Sequence, residues 1–337
     1  MNTKTPEVVM VTGASAGVGR ATAIAFAKRG AHVGLIARGL PGLESLRHEI
    51  EALGSRALVL QCDVANPEQV ESAAQKLEDA FGPINVWVNN AMTTVFSPFK
   101  KIQPAEFKRA TEVTYLGTVY GTMSALQRML SRDSGTIVQV GSALAYRSIP
   151  LQAPYCGAKH AILGFTASLR TELLHDASKV HITMVHLPAM NTPQFEWCRT
   201  RLPRHPQPVP PIFEPEVAAE AIYWAAYHRR REVRVGGSTV KAIVGNKVMP
   251  STLDHYLANM GYEAQQTHDP IPPDRPDNLF EPVDIDYGAH GIFGDRAANY
   301  SIQTWATLHR STVLGVTAGA AVLGWALLGR RAKKRKH

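Results

Sequence analysis

Residues 7–29 read EVVMVTGASAGVGRATAIAFAKR: an apolar run, then a glycine-rich turn, then an alanine-rich stretch. The apolar run is typical of a buried strand, and the alanine-rich stretch is typical of a helix. Glycines between a strand and a helix let backbone amides approach a pyrophosphate at the helix N-terminus. The turn therefore predicts a dinucleotide site formed by Gly13, Ser15, Gly17, Val18 and Gly19.

Beyond this unit, short apolar runs alternate with longer stretches of helical periodicity. This alternation predicts βαβ units and a parallel sheet. Helices are predicted over 67–81, 104–129 and 154–175, the first two with a proline near the start. Strands are predicted at 8–12, 32–37, 56–61, 85–89, 135–140 and 181–186, with a seventh at 231–235.

The end of the second predicted strand indicates which dinucleotide is bound. An acidic residue there bonds the ribose 2′-hydroxyl of NAD, whereas an arginine accommodates the 2′-phosphate of NADP. The chain has Ala37 and then Arg38, with no carboxylate before Glu44. Arg38 therefore favours NADP(H) over NAD, and the alternative is a solvated loop arginine.

Tyr155 and Lys159 lie four residues apart in the helix predicted over 154–175, so their side chains share one helix face. A free tyrosine has a pKa of about 10, and a neighbouring lysine cation lowers that pKa by favouring the phenolate. A pKa near 7 would need about 4 kcal/mol of differential stabilisation. A tyrosine tuned in this way exchanges protons with an alcohol or ketone oxygen as a general acid and base. The alternative is a chance pairing on one helix face.

The order and spacing of these motifs, together with Asp63, Val64, Asn90, Ala91 and Ser142, resembles the short-chain dehydrogenase/reductase superfamily over residues 7–237. The resemblance implies an α/β fold with one Rossmann-type domain, whose doubly wound parallel sheet has seven strands and binds NAD(P)(H). It also implies that Asp63 and Val64 border the adenine, and that Asn90 and Ala91 border the cofactor ribose.

The same resemblance implies the catalytic roles. Ser142 would hold the substrate oxygen, and Tyr155 would act as the general acid and base. Lys159 would bind the nicotinamide ribose while lowering the pKa of Tyr155. A homodimer or homotetramer is implied as well.

Three positions depart from the family pattern. Met92 ends the sequence NNAM where the family has NNAG, which narrows the space near the nicotinamide. Thr114, three residues before Gly117, stands where the family has a catalytic asparagine. In the family that asparagine supports a water that leads to the catalytic lysine. We expect Thr114 to hold this water with a different geometry. Thr192 falls where the family bonds the cofactor carboxamide, although the usual Pro-Gly pair before it is replaced by Leu-Pro.

The residues after Thr192 correspond to the variable lid of the family, which sets the substrate. Apolar side chains there and in the loop after Ser142 predict a hydrophobic alcohol or carbonyl compound, the alternative being that they only pack the lid. These side chains are Phe195, Trp197, Leu202, Leu144 and Ile149.

The chain is longer than one such domain needs, and the surplus is C-terminal. Residues 267–298 are rich in Pro, Asp and Gly and lack regular periodicity, which is typical of a flexible linker. Five apolar residues argue equally for an ordered arm that wraps its own subunit or a neighbour: Leu279, Phe280, Tyr287, Ile292 and Phe293.

Residues 311–329, STVLGVTAGAAVLGWALLG, contain no charge. As a helix they would span about 29 Å, close to the hydrocarbon thickness of a bilayer. We expect a membrane-inserted or transmembrane helix, and the alternative is a buried helix of a soluble oligomer. Gly315 and Gly319 form a GxxxG motif that can pair helices. The positive charges of the basic tail oppose its transfer across a membrane. Two arrangements therefore stay open: the helix crosses the membrane fully, or it inserts partly while the tail binds anionic lipid.

Composition narrows the remaining possibilities. Six of the eight net positive charges lie within residues 330–336, so no basic domain face indicates nucleic-acid binding. The three cysteines have no paired or metal-ligand spacing, so neither an oxidising compartment nor a metal site is indicated. The polar N-terminus has no apolar signal segment, so we expect the catalytic domain in the cytoplasm at a membrane.

The predicted organisation is a catalytic domain over 1–250, an arm over 251–309, a hydrophobic helix over 310–330 and a basic tail over 331–337. The predicted activity is NADP(H)-dependent interconversion of a hydrophobic alcohol and its ketone or aldehyde, with Tyr155 as the acid/base. Two alternatives stay open. One is a nucleotide-sensing protein with weak or lost turnover, supported by Thr114, and the other is a membrane-anchored interaction protein.

Overall fold

A seven-stranded sheet forms the centre of the computed structural model, which describes residues 6–313 and residue 315. Its strands are β1 Val8–Thr12, β2 His32–Ala37, β3 Ala57–Gln61, β4 Ile84–Asn89, β5 Thr136–Ser142, β6 His181–Leu187 and β7 Glu232–Arg234. They are all parallel, in the order β7-β6-β5-β4-β1-β2-β3, which confirms the predicted α/β sheet. The order reverses between β1 and β4, and open α/β sheets bind ligands at such a reversal, outside the carboxyl ends of the strands.

Helices cover both faces of this sheet. They are α1 Gly17–Ala27, α2 Leu40–Ala52, α3 Pro67–Phe81, α4 Pro104–Thr111, α5 Gly117–Leu130, α6 Ala153–His175, α7 Gln194–Trp197, α8 Pro215–Tyr227, α9 Gly237–Val248, α10 Pro250–Met260 and α11 Ile302–Leu308.

Strand β1 shows why both faces are covered. Val9 and Val11 pack into a core with α1, α2 and α8, whereas Val8 and Met10 pack into a second core with α3, α5 and α6. Successive residues of a strand point to opposite faces, so a strand covered on both sides has to be apolar throughout. All five residues of β1 are buried, which agrees with its unbroken apolar sequence.

A buried polar network joins β4, β5 and α5. Asn89 Oδ1 accepts a hydrogen bond from Trp87 Nε1 at 2.9 Å. Asn89 Nδ2 donates to Thr122 Oγ1 at 3.1 Å and to Gln139 Oε1 at 3.0 Å. Because buried polar groups are costly when they lack partners, these bonds fix where α5 sits on the sheet.

The helix predicted over 104–129 is not continuous. It is divided into α4, a π-helical turn at Glu112–Leu116, and α5. At the junction of the turn with α5, the hydroxyl of Thr118 donates to the carbonyl of Thr114 at 2.9 Å, a contact of the kind that bends helices. The prediction of one helix was wrong because sequence periodicity does not register such a turn.

The C-terminal segment packs against the rest of its own chain. Leu279 and Phe293 are buried, although Phe280 and Ile292 remain exposed. These contacts favour an ordered arm on the same subunit over a flexible linker. Backbone pairing and helix packing hold the segment in place: Gln266–Pro270 pairs antiparallel with Arg204–Pro206, Ala297–Ala298 pairs parallel with Ile212–Phe213, and α11 contacts α8 and β7.

Most of the hydrophobic helix predicted over 310–330 lies outside the described residues, as does the whole basic tail. Within residues 6–313 and residue 315, no helix has the length and apolar character needed to cross a membrane. Residues 310–313 are helical, and the backbone amide of Val313 donates to the carbonyl of His309 at 3.0 Å.

Gly121 in α5 and Gly164 in α6 occupy helix interiors with opposite surroundings. A Cβ added at Gly121 would lie 2.3 Å from Asn89 Oδ1, whereas one at Gly164 meets no described atom within 4 Å. We predict that Gly121→Ala lowers the free energy of unfolding by about 1–3 kcal/mol through overpacking. Gly164→Ala should raise it by about 0.5–1 kcal/mol through helix propensity. Urea unfolding followed by circular dichroism measures both, and equal effects would contradict this account of α5.

Candidate active site

The glycine turn is held against the end of β4 by two side chains. The Thr12 hydroxyl accepts hydrogen bonds from the backbone amides of Asn90 and Ala91, at 2.9 and 3.0 Å. Asn90 Nδ2 donates to the carbonyls of Thr12 and Gly13, at 3.0 and 3.3 Å. These bonds tie β1 to β4 at their carboxyl ends, where the strand order reverses.

Two positions of the turn accept no side chain. Gly13 has a φ of +67°, and a Cβ there would lie 2.8 Å from the Cα of Ala91. A Cβ on Gly19 would lie 2.0 Å from the carbonyl oxygen of Gly13. Helix α1 therefore begins directly against the turn, and its N-terminal amides attract a phosphate by position and by dipole.

A cleft of about 470 Å³ opens at the carboxyl ends of the central strands. It brings together nearly all residues predicted for the site: Gly13, Ser15, Gly17, Val18, Arg38, Asp63, Val64, Asn90, Ala91, Ser142, Tyr155, Lys159 and Thr192. Gly19 and Thr114 are not among the described residues that line it. Gly19 acts on the cleft indirectly, because the absence of a side chain there lets the backbone of α1 approach the backbone of Gly13.

Ser142, Tyr155 and Lys159 converge in this cleft from two elements. Ser142 ends β5, and its hydroxyl accepts a hydrogen bond from the backbone amide of Leu144 at 3.1 Å. Tyr155 and Lys159 lie in the first two turns of α6. Lys159 Nζ lies 5.5 Å from the centroid of the Tyr155 ring and donates to the carbonyl of Val140 at 2.6 Å.

Burial controls the protonation of both α6 side chains. It raises the pKa of Tyr155 to about 12, although a hydrogen bond with the Ser142 side chain lowers it. Burial lowers the pKa of Lys159 to about 8. The predicted net lowering of the Tyr155 pKa is wrong, because burial raises it and the Lys159 ammonium donates to the carbonyl of Val140.

Thr114 serves the backbone beside the cleft. Its buried hydroxyl accepts from the amide of Thr93 at 3.0 Å and donates to the carbonyl of the same residue at 2.9 Å. The pair uses the one donor of the hydroxyl and one of its two acceptor lone pairs. These two hydrogen bonds hold the π-helical turn against the backbone of Thr93. They also leave the Thr114 hydroxyl without a hydrogen to donate to a water.

Arg38 and Asp63 lie at the end of the cleft where the adenine half of a dinucleotide is expected. Arg38 Nη1 donates to the carbonyl of Phe280 at 2.6 Å, and Nη2 donates to the carbonyl of Asn278. Asp63 pairs with Arg109. A guanidinium has five N–H donors, so Arg38 can bind these two carbonyls and an anion together.

Apolar side chains dominate the opposite end of the cleft. Of the residues predicted there, Leu144, Ile149 and Phe195 line it. Trp197 also lines the cleft, but its carbonyl accepts a hydrogen bond from the amide of Asn278 at 3.0 Å, which places it beside the C-terminal arm. Leu202 does not belong to the described lining and packs in a buried cluster instead.

Helix α10 adds apolar lining that the sequence analysis missed. Tyr256, Leu257 and Met260 all line the cleft. With Leu253 they have the i, i+3, i+4, i+7 spacing of an amphipathic helix. That signal was present in the sequence, but it does not say which surface the helix covers.

The residues present fit a nicotinamide dinucleotide. The glycine turn allows a pyrophosphate to approach the backbone, and Arg38 supplies a cation near the expected ribose. The Tyr155 phenol and the Ser142 hydroxyl lie together at the opposite part of the same cleft. A single cleft therefore holds groups for both halves of such a ligand.

Comparisons with known proteins agree with this geometry. The family model described as short chain dehydrogenase matches residues 7–201. The uncharacterized oxidoreductase YxnA of Bacillus subtilis is 29% identical over 322 residues, which cover 95% of this chain and 90% of that protein. The fatty acyl-CoA reductase of Acinetobacter baylyi is 27% identical over 67% of this chain and 75% of that protein.

Among solved structures, a metagenomic short-chain oxidoreductase in complex with NADP has a TM-score of 0.57 and 26% identity. The match covers 68% of this chain and 96% of that one. Because the family model spans more than half of the chain and the cleft holds the corresponding motifs, the protein belongs to the short chain dehydrogenase family and is an oxidoreductase that acts on alcohol and ketone groups with a nicotinamide cofactor.

Proposed function

We propose that the protein is an NADP(H)-dependent oxidoreductase that interconverts a hydrophobic alcohol and its ketone or aldehyde. The observation that carries the proposal is the meeting of Ser142, Tyr155 and Lys159 in the cleft that also contains the glycine turn. Arg38 and the NADP complex of the metagenomic relative support the choice of cofactor. The apolar lining, and the relative named for a fatty acyl substrate, support an apolar substrate.

The cofactor would be held along the cleft and would supply or accept a hydride there. Backbone amides of the glycine turn other than that of Gly17, which donates to the carbonyl of Gly288, would bind the pyrophosphate. Arg38 would bind the 2′-phosphate. The other predicted contacts are Asp63 and Val64 with the adenine, Asn90, Ala91 and Lys159 with the riboses, and Thr192 with the carboxamide.

The protein groups supply the proton chemistry. Ser142 holds the substrate oxygen, and the Tyr155 phenol donates its proton to that oxygen as the carbonyl is reduced. The Lys159 ammonium, 5.5 Å from the centroid of the Tyr155 ring, would offset part of the burial cost of the phenolate that remains. Burial raises the pKa of Tyr155 and so favours the phenol form from which this proton is donated. We give Thr114 no part in proton transfer, since its hydroxyl is bonded to Thr93.

Tyr155→Phe tests the proposal. We expect kcat for carbonyl reduction to fall by about 10²–10⁴-fold, the usual contribution of a general acid. Binding of NADPH, measured by fluorescence titration, should persist because the ring is retained. Tyr120→Phe is the matched control, since it removes a phenol that is not among the described cleft residues. Unchanged turnover in Tyr155→Phe would favour the nucleotide-sensing alternative.

The same assay defines the substrate. A panel of fatty, polycyclic and sugar carbonyls is supplied with NADPH or NADH, and cofactor absorbance is followed. We expect turnover of the apolar compounds with NADPH. Turnover of small polar sugars alone would contradict the apolar substrate class, and a preference for NADH would contradict the role of Arg38.

The pH dependence follows from the pKa of Lys159, which burial lowers to about 8. Below that pH the ammonium is present and Tyr155 is protonated, so kcat/KM for reduction should be level. Above it the lysine loses its charge and kcat/KM should fall. The measurement is kcat/KM from initial rates between pH 6 and pH 10 at constant ionic strength. On the falling limb, kcat/KM should decrease roughly tenfold per pH unit. A kcat/KM that rises through pH 8 would contradict the assignment.

Membrane association through residues 311–329 and the basic tail stays a prediction, as does the homo-oligomeric state. The full chain should float with anionic lipid vesicles in a density gradient, and a chain ending at residue 309 should not, because it lacks the uncharged segment and the cations. Flotation of both proteins to the same extent would contradict the prediction.

A further inference from the structure

Residues 277–288 of the arm, which we term the strap, cross the adenosine end of the cleft. Asn278, Pro282, Val283 and Ile285 line the cleft together with Arg38, so the strap forms one of its walls. At the far end of the strap, the carbonyl of Gly288 accepts a hydrogen bond from the amide of Gly17 at 3.2 Å. The strap therefore reaches from the expected 2′-phosphate position to the glycine turn.

The strap is attached to Arg38 through its own backbone. The two terminal nitrogens of the guanidinium donate to the carbonyls of Asn278 and Phe280. Next to them, Arg109 Nε donates to the carbonyl of Leu279 at 3.2 Å, and the Leu279 side chain is fully buried. These backbone contacts fix the direction of the Arg38 guanidinium. The carboxylates of Asp63 and of Glu281 in the strap act on its charge as well, and a 2′-phosphate would bind beside them.

Two carboxylates secure the ends of the strap. Asp286 pairs with Arg20 at 2.6 Å, and the Arg20 side chain is only 3% exposed. Asp277 pairs with Arg199, which also binds Glu106 at 3.0 Å. Ion pairs with a buried or half-buried partner are weakened little by solvent, so each of them resists lifting of the strap.

The strap borders the same cleft as the glycine turn and Arg38. Two arrangements follow from this position. As a roof, the strap would cover the adenosine half of a bound dinucleotide, and as a plug it would fill the adenosine site itself. The experiments below distinguish the two.

We propose that the strap is a cofactor-positioning element that directs Arg38 towards the 2′-phosphate and must lift for NADP(H) to bind or leave. This inference rests on the proposed use of NADP(H) by the same cleft. It assigns Asp277 and Asp286 as positioning residues that act through the strap.

A reversible lock tests the movement. A Cβ on Gly39 would lie 3.7 Å from the Cβ of Pro282, a separation that suits a disulfide. The variant Gly39→Cys/Pro282→Cys is first loaded with NADPH and then oxidised, so that the two introduced thiols form a disulfide. The protein is diluted into excess NADP⁺, and the loss of NADPH fluorescence gives the dissociation rate of NADPH. We expect release to slow by about tenfold or more in the oxidised protein and to recover on adding dithiothreitol. Pro282→Cys alone, treated in the same way, controls for oxidation of the native buried cysteines.

Weakening the attachment should have the opposite effect. Asp286→Asn and Asp277→Asn should each raise the NADPH dissociation rate by about tenfold, the size expected for losing a charge-assisted hydrogen bond. The control is Asp274→Asn, which makes the same change at an exposed residue just outside the strap. Because Arg38 is directed by the strap, affinity for NADPH should fall more than affinity for NADH.

The outcomes separate the two proposals. Equal release rates in the oxidised and reduced lock variant would overturn the strap inference, whatever cofactor is used. Tighter NADPH binding in Asp286→Asn would also overturn it, because that result identifies a plug. If the wild-type protein binds NADH more tightly than NADPH, the proposed cofactor is wrong. The strap inference is then tested separately, by comparing the rates at which the oxidised and reduced lock variants release NADH.

Discussion

The site depends on a short set of hydrogen bonds that hold two parallel strands together where the sheet order reverses. Thr12 and Asn90 exchange bonds through their side chains and backbones, and Gly13 and Gly19 let the turn and α1 close upon them. Any larger residue at those glycines would push α1 away from the end of β4. The position of α1 in turn sets where a pyrophosphate can approach, so this contact fixes one end of the cleft.

Desolvation sets the chemistry at the other end. The interior keeps the Tyr155 phenol protonated and brings the pKa of Lys159 close to neutrality. A protein that has to donate a proton to a carbonyl benefits from the first effect. The second makes the lysine charge sensitive to pH in the range where enzymes are assayed. The hydroxyl of Thr114 is spent on the backbone of Thr93, which separates this site from a relay that needs a water at that position.

The C-terminal arm belongs to the site as much as the sheet does. The family model ends at residue 201, whereas the Bacillus relative aligns over 95% of the chain, so the arm lies in the part that the family pattern does not describe. Its backbone binds Arg38, and helix α10 supplies apolar lining to the substrate end. Both halves of the cleft are therefore completed by residues beyond the Rossmann-type sheet.

The sequence by itself determined the seven-stranded sheet, the glycine turn and the grouping of Ser142, Tyr155 and Lys159. The sheet, the turn and the shared helix face of Tyr155 and Lys159 rest on local patterns: apolar runs, glycines with a required conformation, and a spacing of four on one helix. The place of Ser142 beside them was implied by the family resemblance. Only the tertiary structure decided the rest. Which groups desolvate Tyr155, what binds the Thr114 hydroxyl, and where the arm runs all depend on contacts between residues far apart in the chain. Arg38 and Phe280 are 242 positions apart, and no local pattern predicts that such residues meet.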